Sequence, residues 1–246
     1  MSARALRLDG VSVVYGGVRA LTGATLEVEP GTVLGLIGPN GAGKTTLINA
    51  TTGIVPLSAG SVSLGDLILC LAGRRGGLAP YRIARAGIAR TYQNIRLFST
   101  LDVFANLAAG AFARPGRLGT DEAQALLARA GIAHVALGAR ANSLPYGDQR
   151  RLEIARALAA DPAIVMLDEP AAGMNPTETA RLVETIRAIA SGGIGVLLIE
   201  HDMTLVRAAC DHVVVLNFGQ IIARGTPREI GVDPAVIEAY LGPESG

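Results

Sequence analysis

The chain contains no tryptophan, and aromatic residues make up only 4% of its 246 residues. Because half of the sequence is nevertheless hydrophobic, we expect aliphatic side chains to fill a core large enough for one domain or for a domain with a smaller subdomain. No stretch approaches the roughly 20 uninterrupted apolar residues of a transmembrane helix, and the beginning, MSARALRLDG, lacks the apolar region of a signal peptide. The sequence therefore predicts a cytosolic protein.

Cysteine and excess charge are also scarce. The two cysteines, Cys70 and Cys210, lie far apart without the spacing of metal ligands, which predicts reduced, buried thiols. Basic and acidic residues number 22 and 21, giving a net charge of +1 without a run of like charges. This balance argues against a surface for polyanions, and we expect no nucleic-acid partner.

Glycine, by contrast, is abundant, and it shapes the most informative stretch, LIGPNGAGKTT at residues 36–46. It matches the phosphate-binding pattern G-x-x-x-x-G-K-[ST] between an apolar strand-like run and a short predicted helix. That context opposes the alternative, an accidental glycine-rich turn. Lys44 is predicted to reach the β- and γ-phosphates of a nucleotide, and the Thr45 hydroxyl to bind Mg²⁺. The predicted nucleotide contacts are Gly38, Pro39, Asn40, Gly41, Ala42, Gly43, Lys44, Thr45 and Thr46.

Acidic residues and a histidine follow two further apolar runs. The run 163–167 ends in Asp168 and Glu169, and the run 194–199 ends in Glu200 and His201. Both runs are typical of strands buried on two faces, and ligands bind beyond the carboxyl ends of such strands. Adjacent buried carboxylates require a nearby cation. For a lone histidine a structural role is the alternative to a catalytic one.

Other segments are predicted with alternatives left open. Tyr15, beside two glycines, either packs in the core or stacks on a base. Gln93, in the loop RTYQNIRLF, is either solvated or functional. Residues 71–90 are predicted to be a polar connection, and Ser99 with Asp102 a capping box for a following helix. The segment LPYGDQRRLEIARAL predicts a helix, and its polar arginines, Arg150, Arg151 and Arg156, are interpreted as a solvated face.

Together these stretches resemble the nucleotide-binding subunit of an ABC transporter over nearly the whole chain and in the family's order. The corresponding motifs are the adenine-stacking aromatic (Tyr15), Walker A (38–46), the Q-loop glutamine (Gln93), the signature (144–149), Walker B (Asp168 and Glu169), the D-loop (171–175) and the switch histidine (His201).

The resemblance implies an α/β fold with a P-loop NTPase core and a mostly parallel sheet. An antiparallel β subdomain near the N-terminus and an inserted α-helical subdomain complete that fold. We expect a single ABC ATPase domain over 1–246, with its core in 1–90 and 161–246. The mainly helical subdomain over 91–160 carries the signature.

The resemblance also implies the roles of the site residues. Asp168 binds Mg²⁺ directly or through water, and Gln93 senses the metal and the attacking water. Glu169 is the general base or positions that water, and His201 contacts the γ-phosphate. The signature, through Gly147, acts in trans on the ATP of a facing subunit, so that ATP holds a dimer together.

Four stretches, RTYQNIRLF, LPYGDQRRLEIARAL, EPAAGMNPTET and LLIEHDM, are similar to the ATPase subunits of branched-chain amino acid uptake systems. The implied partners are a second ATPase subunit of the same or a related chain, transmembrane permease subunits and, indirectly, a substrate-binding protein. The implied location is the cytoplasmic side of the inner or plasma membrane. Three residues depart from the wider superfamily: Pro145 replaces serine, Asp148 replaces glutamine and Asn175 replaces the D-loop aspartate.

Two other functions remain open at this stage. An ABC ATPase that drives the export of lipid or polysaccharide is opposed only by the four stretches. A soluble ABC ATPase of DNA repair or translation is opposed by the absence of heptads, cysteine clusters and basic stripes.

Overall fold

A computed structural model of the protein describes residues 4–73 and 77–241. The strands in these ranges are β1 (Leu6–Tyr15), β2 (Val18–Val28), β3 (Val33–Ile37), β4 (Ala59–Leu64), β5 (Leu67–Leu71), β6 (Ile88–Arg90), β7 (Ile164–Asp168), β8 (Gly195–Ile199), β9 (His212–Asn217) and β10 (Gln220–Gly225). The helices are α1 (Lys44–Thr51), α2 (Pro80–Ala86), α3 (Val103–Ala111), α4 (Thr120–Arg129), α5 (Tyr146–Leu158), α6 (Pro176–Ser191), α7 (Met203–Ala209), α8 (Pro227–Ile230) and α9 (Pro234–Leu241), with a short 3-10 helix at Ala141–Ser143.

The strands form two sheets. An antiparallel sheet has the order β2-β1-β4-β5, and a six-stranded sheet has the order β10-β9-β3-β8-β7-β6. In the larger sheet β3 is parallel to both neighbours, and only the edge strand β10 pairs antiparallel. These two sheets, with helices packed around them, confirm the predicted α/β fold class.

The central strands of the larger sheet are buried along their whole length. All five residues of β3, of β7 and of β8 are buried, as expected for parallel strands covered on both faces. One face packs against the antiparallel sheet and α1, through residues such as Leu36 and Leu47. The other face packs against α5, α6 and α7, through residues such as Leu167 and Leu182.

The chain between β6 and β7 is mainly helical. A third hydrophobic cluster, which includes Leu107, Leu127 and Leu152, joins α3, α4 and α5. The predicted capping box at Ser99 is wrong in detail, because α3 begins after Asp102, whose carboxylate accepts a hydrogen bond from the Ala105 N–H at 2.7 Å. Asp102 therefore caps the helix itself, and no glutamate three residues later is required.

The described part of the predicted polar connection, residues 71–73 and 77–90, contains regular structure. It includes α2 and β6, and β6 forms the edge of the larger sheet next to β7. A strand of three residues is too short to show an alternating pattern, which explains why the sequence did not reveal it. Arg74 and Arg75, which belong to the same predicted connection, lie outside the described residues.

Both cysteines are free and buried, which confirms their prediction as structural thiols. None of the helices in the described part of the chain combines the length and the apolar character that crossing a membrane requires.

Candidate functional site

The glycine-rich loop between β3 and α1 has a backbone that other residues would not tolerate. Gly38, Gly41 and Gly43 have φ angles of 151°, 80° and 107°. A Cβ atom at Gly38 would lie 2.0 Å from the Leu216 carbonyl oxygen, and one at Gly43 would lie 2.7 Å from the Ala20 oxygen. The loop is therefore packed against its surroundings, and it leads directly into the N-terminus of α1, where backbone N–H groups attract anions.

Lys44, the first residue of α1, folds back over this loop. Its Nζ donates hydrogen bonds to the carbonyl oxygens of Gly38, at 2.5 Å, and Pro39, at 3.0 Å. Burial lowers the pKa of Lys44, while the nearby carboxylates of Glu169 and Asp168 oppose this effect. The ammonium group thus lies at the loop, within the electrostatic influence of both acidic residues.

The acidic residues stand at the carboxyl ends of β7 and β8, which run parallel to β3. Glu169 follows β7 directly and adopts a left-handed conformation with a φ of 46°. Its N–H donates to the Ile199 carbonyl oxygen at 3.0 Å, which links it to the end of β8. Because a non-glycine residue rarely takes this conformation, the backbone here is held by its neighbours.

Glu169, Gln93 and His201 form a cluster. Gln93 Nε2 donates to Glu169 Oε2 at 2.8 Å, and His201 Nδ1 lies 3.9 Å from Glu169 Oε1. The histidine side chain is 65% exposed, whereas that of the glutamate is 20% exposed. Three residues that are far apart in the sequence therefore meet, and each presents a group able to donate or accept a proton or a hydrogen bond.

Asp168 has a partner that the sequence did not reveal. Arg90 Nη2 lies 3.1 Å from Asp168 Oδ2, and Arg90 Nη1 donates to Asn49 Oδ1 at 2.7 Å. Arg90 ends β6, so this arginine links the edge strand, α1 and the end of β7. It supplies the cation that a buried carboxylate requires.

Glu200 is a second residue whose role was missed. It is 2% exposed, and burial raises its pKa. Its two oxygens accept the backbone N–H groups of Ala171, at 3.1 Å, and His201, at 3.3 Å. The carboxylate thereby connects the chain after β7 to the chain after β8. Only its place at the end of a buried strand could have indicated this role.

The structure does not place Tyr15 or Gly147 in the Glu169 cluster. Tyr15 ends β1 of the antiparallel sheet and is 46% exposed. Gly147 is buried in the first turn of α5, where an added Cβ would lie 2.6 Å from Glu178 Oε1. Close to it, the Tyr146 hydroxyl donates to the Ala172 carbonyl oxygen at 2.9 Å, so the start of α5 is attached to the segment after β7.

The arginines of α5 do not form the solvated face that was predicted. Arg150 and Arg151 are 4% and 3% exposed, and Arg156 is half-buried. The signal that was available is the spacing of Arg150, Glu153 and Arg156, since residues three apart lie close on one side of a helix and can form ion pairs.

Comparison with known proteins is consistent with this geometry. The family model described as "ABC transporter" matches residues 21–172. A second model, described as "Branched-chain amino acid ATP-binding cassette transporter", matches residues 220–242.

Two curated proteins from Escherichia coli K12 align over almost their whole length. The high-affinity branched-chain amino acid transport ATP-binding protein LivG is 41% identical, covering 98% of this chain and 99% of LivG. The lipopolysaccharide export system ATP-binding protein LptB is 36% identical, covering 96% of this chain and 97% of LptB. Among solved structures, the ADP conformation of MJ1267, an ATP-binding cassette of an ABC transporter, superposes with a TM-score of 0.85 at 29% identity, covering 98% of this chain and 100% of that one.

Proposed function

The chain belongs to the ABC transporter family and is an ATPase of that family, and from this premise we propose that it powers an importer of branched-chain amino acids. The observation that carries the proposal is the match of residues 220–242 to the branched-chain amino acid cassette model. The 41% identity to LivG over nearly the whole chain supports it.

The glycine-rich loop and Lys44 are the proposed phosphate-binding groups. The loop N–H groups and the start of α1 favour an anion, and Lys44 Nζ already lies at the carbonyl oxygens of Gly38 and Pro39. A β- or γ-phosphate oxygen is a stronger partner for the ammonium group than these carbonyls, because it carries charge. We assign the adenine ring to Tyr15, whose exposed position at the end of β1 leaves it accessible.

Thr45, Asp168 and Gln93 fit a bound Mg²⁺ ion. Their hydroxyl, carboxylate and amide oxygens are the hard donors that Mg²⁺ prefers, and this ion usually takes only one or two protein carboxylates beside phosphate and water. Within residues 4–73 and 77–241 no group of three or more His, Cys, Asp or Glu side chains is placed to hold a metal alone. The ion would neutralise charge on the β- and γ-phosphates; Arg90 fixes Asp168 through Oδ2 and leaves Oδ1 for this role.

Glu169 is the proposed base or positioning group for the attacking water. Its carboxylate is held on one side by Gln93 Nε2 and approached on the other by His201 Nδ1, so its orientation is defined before substrate arrives. His201, which is largely exposed, is the proposed contact to the γ-phosphate. Phosphoryl transfer depends mainly on such positioning and on charge stabilisation.

A second ATPase subunit is proposed to complete the site. Gly147 and the signature segment 144–149 lie at the start of α5, packed against Glu178, and we assign them to the nucleotide of the facing subunit. ATP then holds two subunits together, and hydrolysis releases them. We also retain a helical subdomain over 91–160 inside one ABC ATPase domain, supported by the separate cluster of α3, α4 and α5.

A groove of about 310 Å³ beside Phe98 is the proposed contact with a transmembrane permease. Small residues of α2, β6, α3 and α5, and of the chain just after α3 and α5, make up most of its lining, and Ile88, Arg90 and Arg156 complete it. Phe98 is 52% exposed at its edge, and its chain segment also carries Gln93. A permease helix in this groove would place the chain on the cytoplasmic side of the membrane and couple it, indirectly, to a substrate-binding protein.

Export of a lipid or polysaccharide is the second candidate function, and it is favoured by the 36% identity to LptB. Affinity purification of the tagged chain from its own membranes distinguishes the two. We expect permease subunits of an importer, with ATP turnover stimulated by a binding protein loaded with leucine. Recovery of exporter permeases, with turnover indifferent to leucine, would contradict import and leave the ATPase assignment intact.

A further inference from the structure

Three side chains on one side of α5 contact the backbone of the loop that carries Gln93. They are Arg150, Glu153 and Arg156, spaced three residues apart, and the first two are 4% and 1% exposed. Residues 92–96 contain no helix or strand, so the loop has no ladder of its own hydrogen bonds. Its backbone polar groups therefore need partners from other elements, and α5 supplies several of them.

Arg150 holds the loop at Gln93 itself. Its Nη1 donates to the Tyr92 carbonyl oxygen at 2.8 Å, and its Nη2 donates to the carbonyl oxygen of Gln93. The two nitrogens of the planar guanidinium thus donate hydrogen bonds to two consecutive carbonyl oxygens. A lysine ammonium does not reproduce this geometry. The Gln93 side chain donates to Glu169. Gln93 therefore contacts α5 through its backbone and Glu169 through its side chain.

Glu153 and Arg156 hold the loop further along. Glu153 Oε1 accepts the Arg96 N–H at 3.2 Å, and Arg156 donates to the carbonyl oxygen of Arg96. Burial raises the pKa of Glu153, while the Arg96 N–H and the charges of Arg156 and Arg150 oppose this effect. Glu153 lies 3.6 Å from both arginines, so the three side chains of α5 form one ionic group around the loop.

Tyr92 extends this connection towards Asp168. Two guanidinium groups lie over its ring, with Arg96 at 4.2 Å and Arg90 at 4.6 Å from the ring centroid. Arg90 is the residue that pairs with Asp168. Cation–π contacts of this kind are attractive, so the loop is attached to α5 on one side and, through Arg90, to the ends of β6 and β7 on the other.

We propose that Arg150 is a positioning residue for ATP hydrolysis. It fixes the main chain of Gln93 so that the side-chain amide reaches Glu169, and a displacement of α5 therefore changes that contact. The inference rests on the proposed roles of Gln93 and Glu169, to which it adds the residue that acts through them. Segment 144–149 includes the first turn of α5. A movement of that segment therefore also changes the position of Gln93 relative to Glu169.

Arg151 provides a matched control. It is the next residue of the same helix and is equally buried, but its guanidinium faces the carbonyl oxygens of Gly131, at 3.5 Å, and Glu178, at 3.3 Å, instead of the loop. Arg150→Lys and Arg151→Lys therefore make the same chemical change at neighbouring buried sites.

We expect Arg150→Lys to lower the kcat for MgATP about tenfold with little change in KM, because a small misplacement of a reacting group is costly. Arg151→Lys should change the melting temperature as much as Arg150→Lys and kcat much less.

The decisive experiment is a double-mutant cycle of Arg150→Lys with Gln93→Ala in the assembled transporter. If Arg150 acts through Gln93, adding Arg150→Lys to Gln93→Ala lowers kcat no further. Should the two losses multiply, Arg150 is only a packing residue and the inference is overturned, while the role of Gln93 stands. A Gln93→Ala variant with native turnover would instead remove the proposed role of Gln93 and the inference with it.

Glu153→Gln provides a second test of the inference if the Arg150→Lys protein does not fold. It keeps the shape of the side chain and removes the charge that holds Arg150, so kcat should fall in the same direction, and again not further in the Gln93→Ala background. A Glu153→Gln protein with native kcat and native dependence on Mg²⁺ concentration contradicts the inference.

Discussion

Lys44 is the single lysine of the chain, since the remaining 21 of its 22 basic residues are arginines. An amine-selective reagent therefore has one side-chain target, and the pKa of that target is lowered by burial, which favours the reactive neutral amine. We expect labelling at Lys44 to abolish ATP turnover and MgATP to protect against it. An ATPase assay measures the loss of turnover, and mass spectrometry of the labelled peptide measures the protection. Equal labelling with and without MgATP, at full loss of turnover, would contradict phosphate binding by Lys44.

Glu200 predicts a pH dependence of stability. Its pKa is raised by burial above the ordinary value of 4.5, so the folded state binds the proton more tightly than the unfolded state. Stability therefore falls as the pH rises from the ordinary value through the raised one. Glu200→Gln should flatten this fall, as measured by urea unfolding at a series of pH values. It should not remove the fall, because burial also raises the pKa of Glu153. An unchanged slope would show that Glu200 contributes nothing to it.

Some residues of the site can be predicted from the sequence near them, and others cannot. Lys44 and Glu169 are visible in the sequence because a glycine loop and a strand end fix their neighbourhoods. Arg90 is not visible, because its partners Asp168 and Asn49 lie on β7 and α1, far away in sequence. The burial of Arg150 likewise depends on a loop of a different segment, and polarity alone predicts a solvated side chain.

Among the elements, the loop that carries Phe98 makes a testable contact. Phe98→Ala is expected to lower transport several-fold while ATP binding and melting temperature stay close to native, because the side chain is 52% exposed and lines the groove. Phe112→Ala is the control, since Phe112 is 81% exposed next to α3 and does not line that groove. Equal loss of transport and stability in Phe98→Ala would instead indicate a packing role.

The start of α5 gives a second prediction at this scale. Pro145 occupies the N-cap of α5, where serine is a preferred residue, so Pro145→Ser should keep most of the ATPase activity. Gly147→Asp should abolish it, because an added Cβ would lie 2.6 Å from Glu178 Oε1 and a second carboxylate would face the first. ATP turnover by the assembled complex measures both, with melting temperature as the check for misfolding.

The physical reason for the second result differs from the one that the sequence provided. From the resemblance, a side chain at residue 147 is predicted to collide with the phosphate or with the backbone of the facing subunit, whereas the structure already places Glu178 of the same chain in its way. A stable Gly147→Asp protein with normal turnover would contradict both reasons. If turnover is lost and the melting temperature also falls, misfolding explains the loss, and the role of Gly147 in trans is then tested by the dimer that ATP forms.

Elements with strong local signals were predicted well. The sequence Asn-Pro-x-Glu at residues 175–178 has the local pattern of a capping box, and in the structure Asn175 is the N-cap of α6 and forms that box with Glu178. The continuous apolar runs correspond to β7 and β8. Helix α2 and strand β6 have seven and three residues, too few for a periodic pattern, and their formation depends on packing next to β7.

At the scale of the whole molecule, the order of the sheet brings the site together. Because β3, β8 and β7 are adjacent and parallel, the glycine loop, His201 and Glu169 all follow the same edge. The sequence implied this arrangement through the family resemblance, and not through its periodicity, which carries no information about strand order. The antiparallel sheet was implied in the same way.

We propose that Glu169 drives hydrolysis of an ATP that holds two subunits together. Glu169→Gln tests it directly, because the amide keeps the shape and can still accept the hydrogen bond of Gln93 but cannot take a proton. We predict that gel filtration with light scattering shows a dimer with MgATP, and a monomer without nucleotide, while turnover is abolished. If the partner is a related ATPase, the dimer forms on mixing the two chains. A Glu169→Gln protein that hydrolyses ATP at the native rate and stays monomeric with MgATP would contradict this role of Glu169.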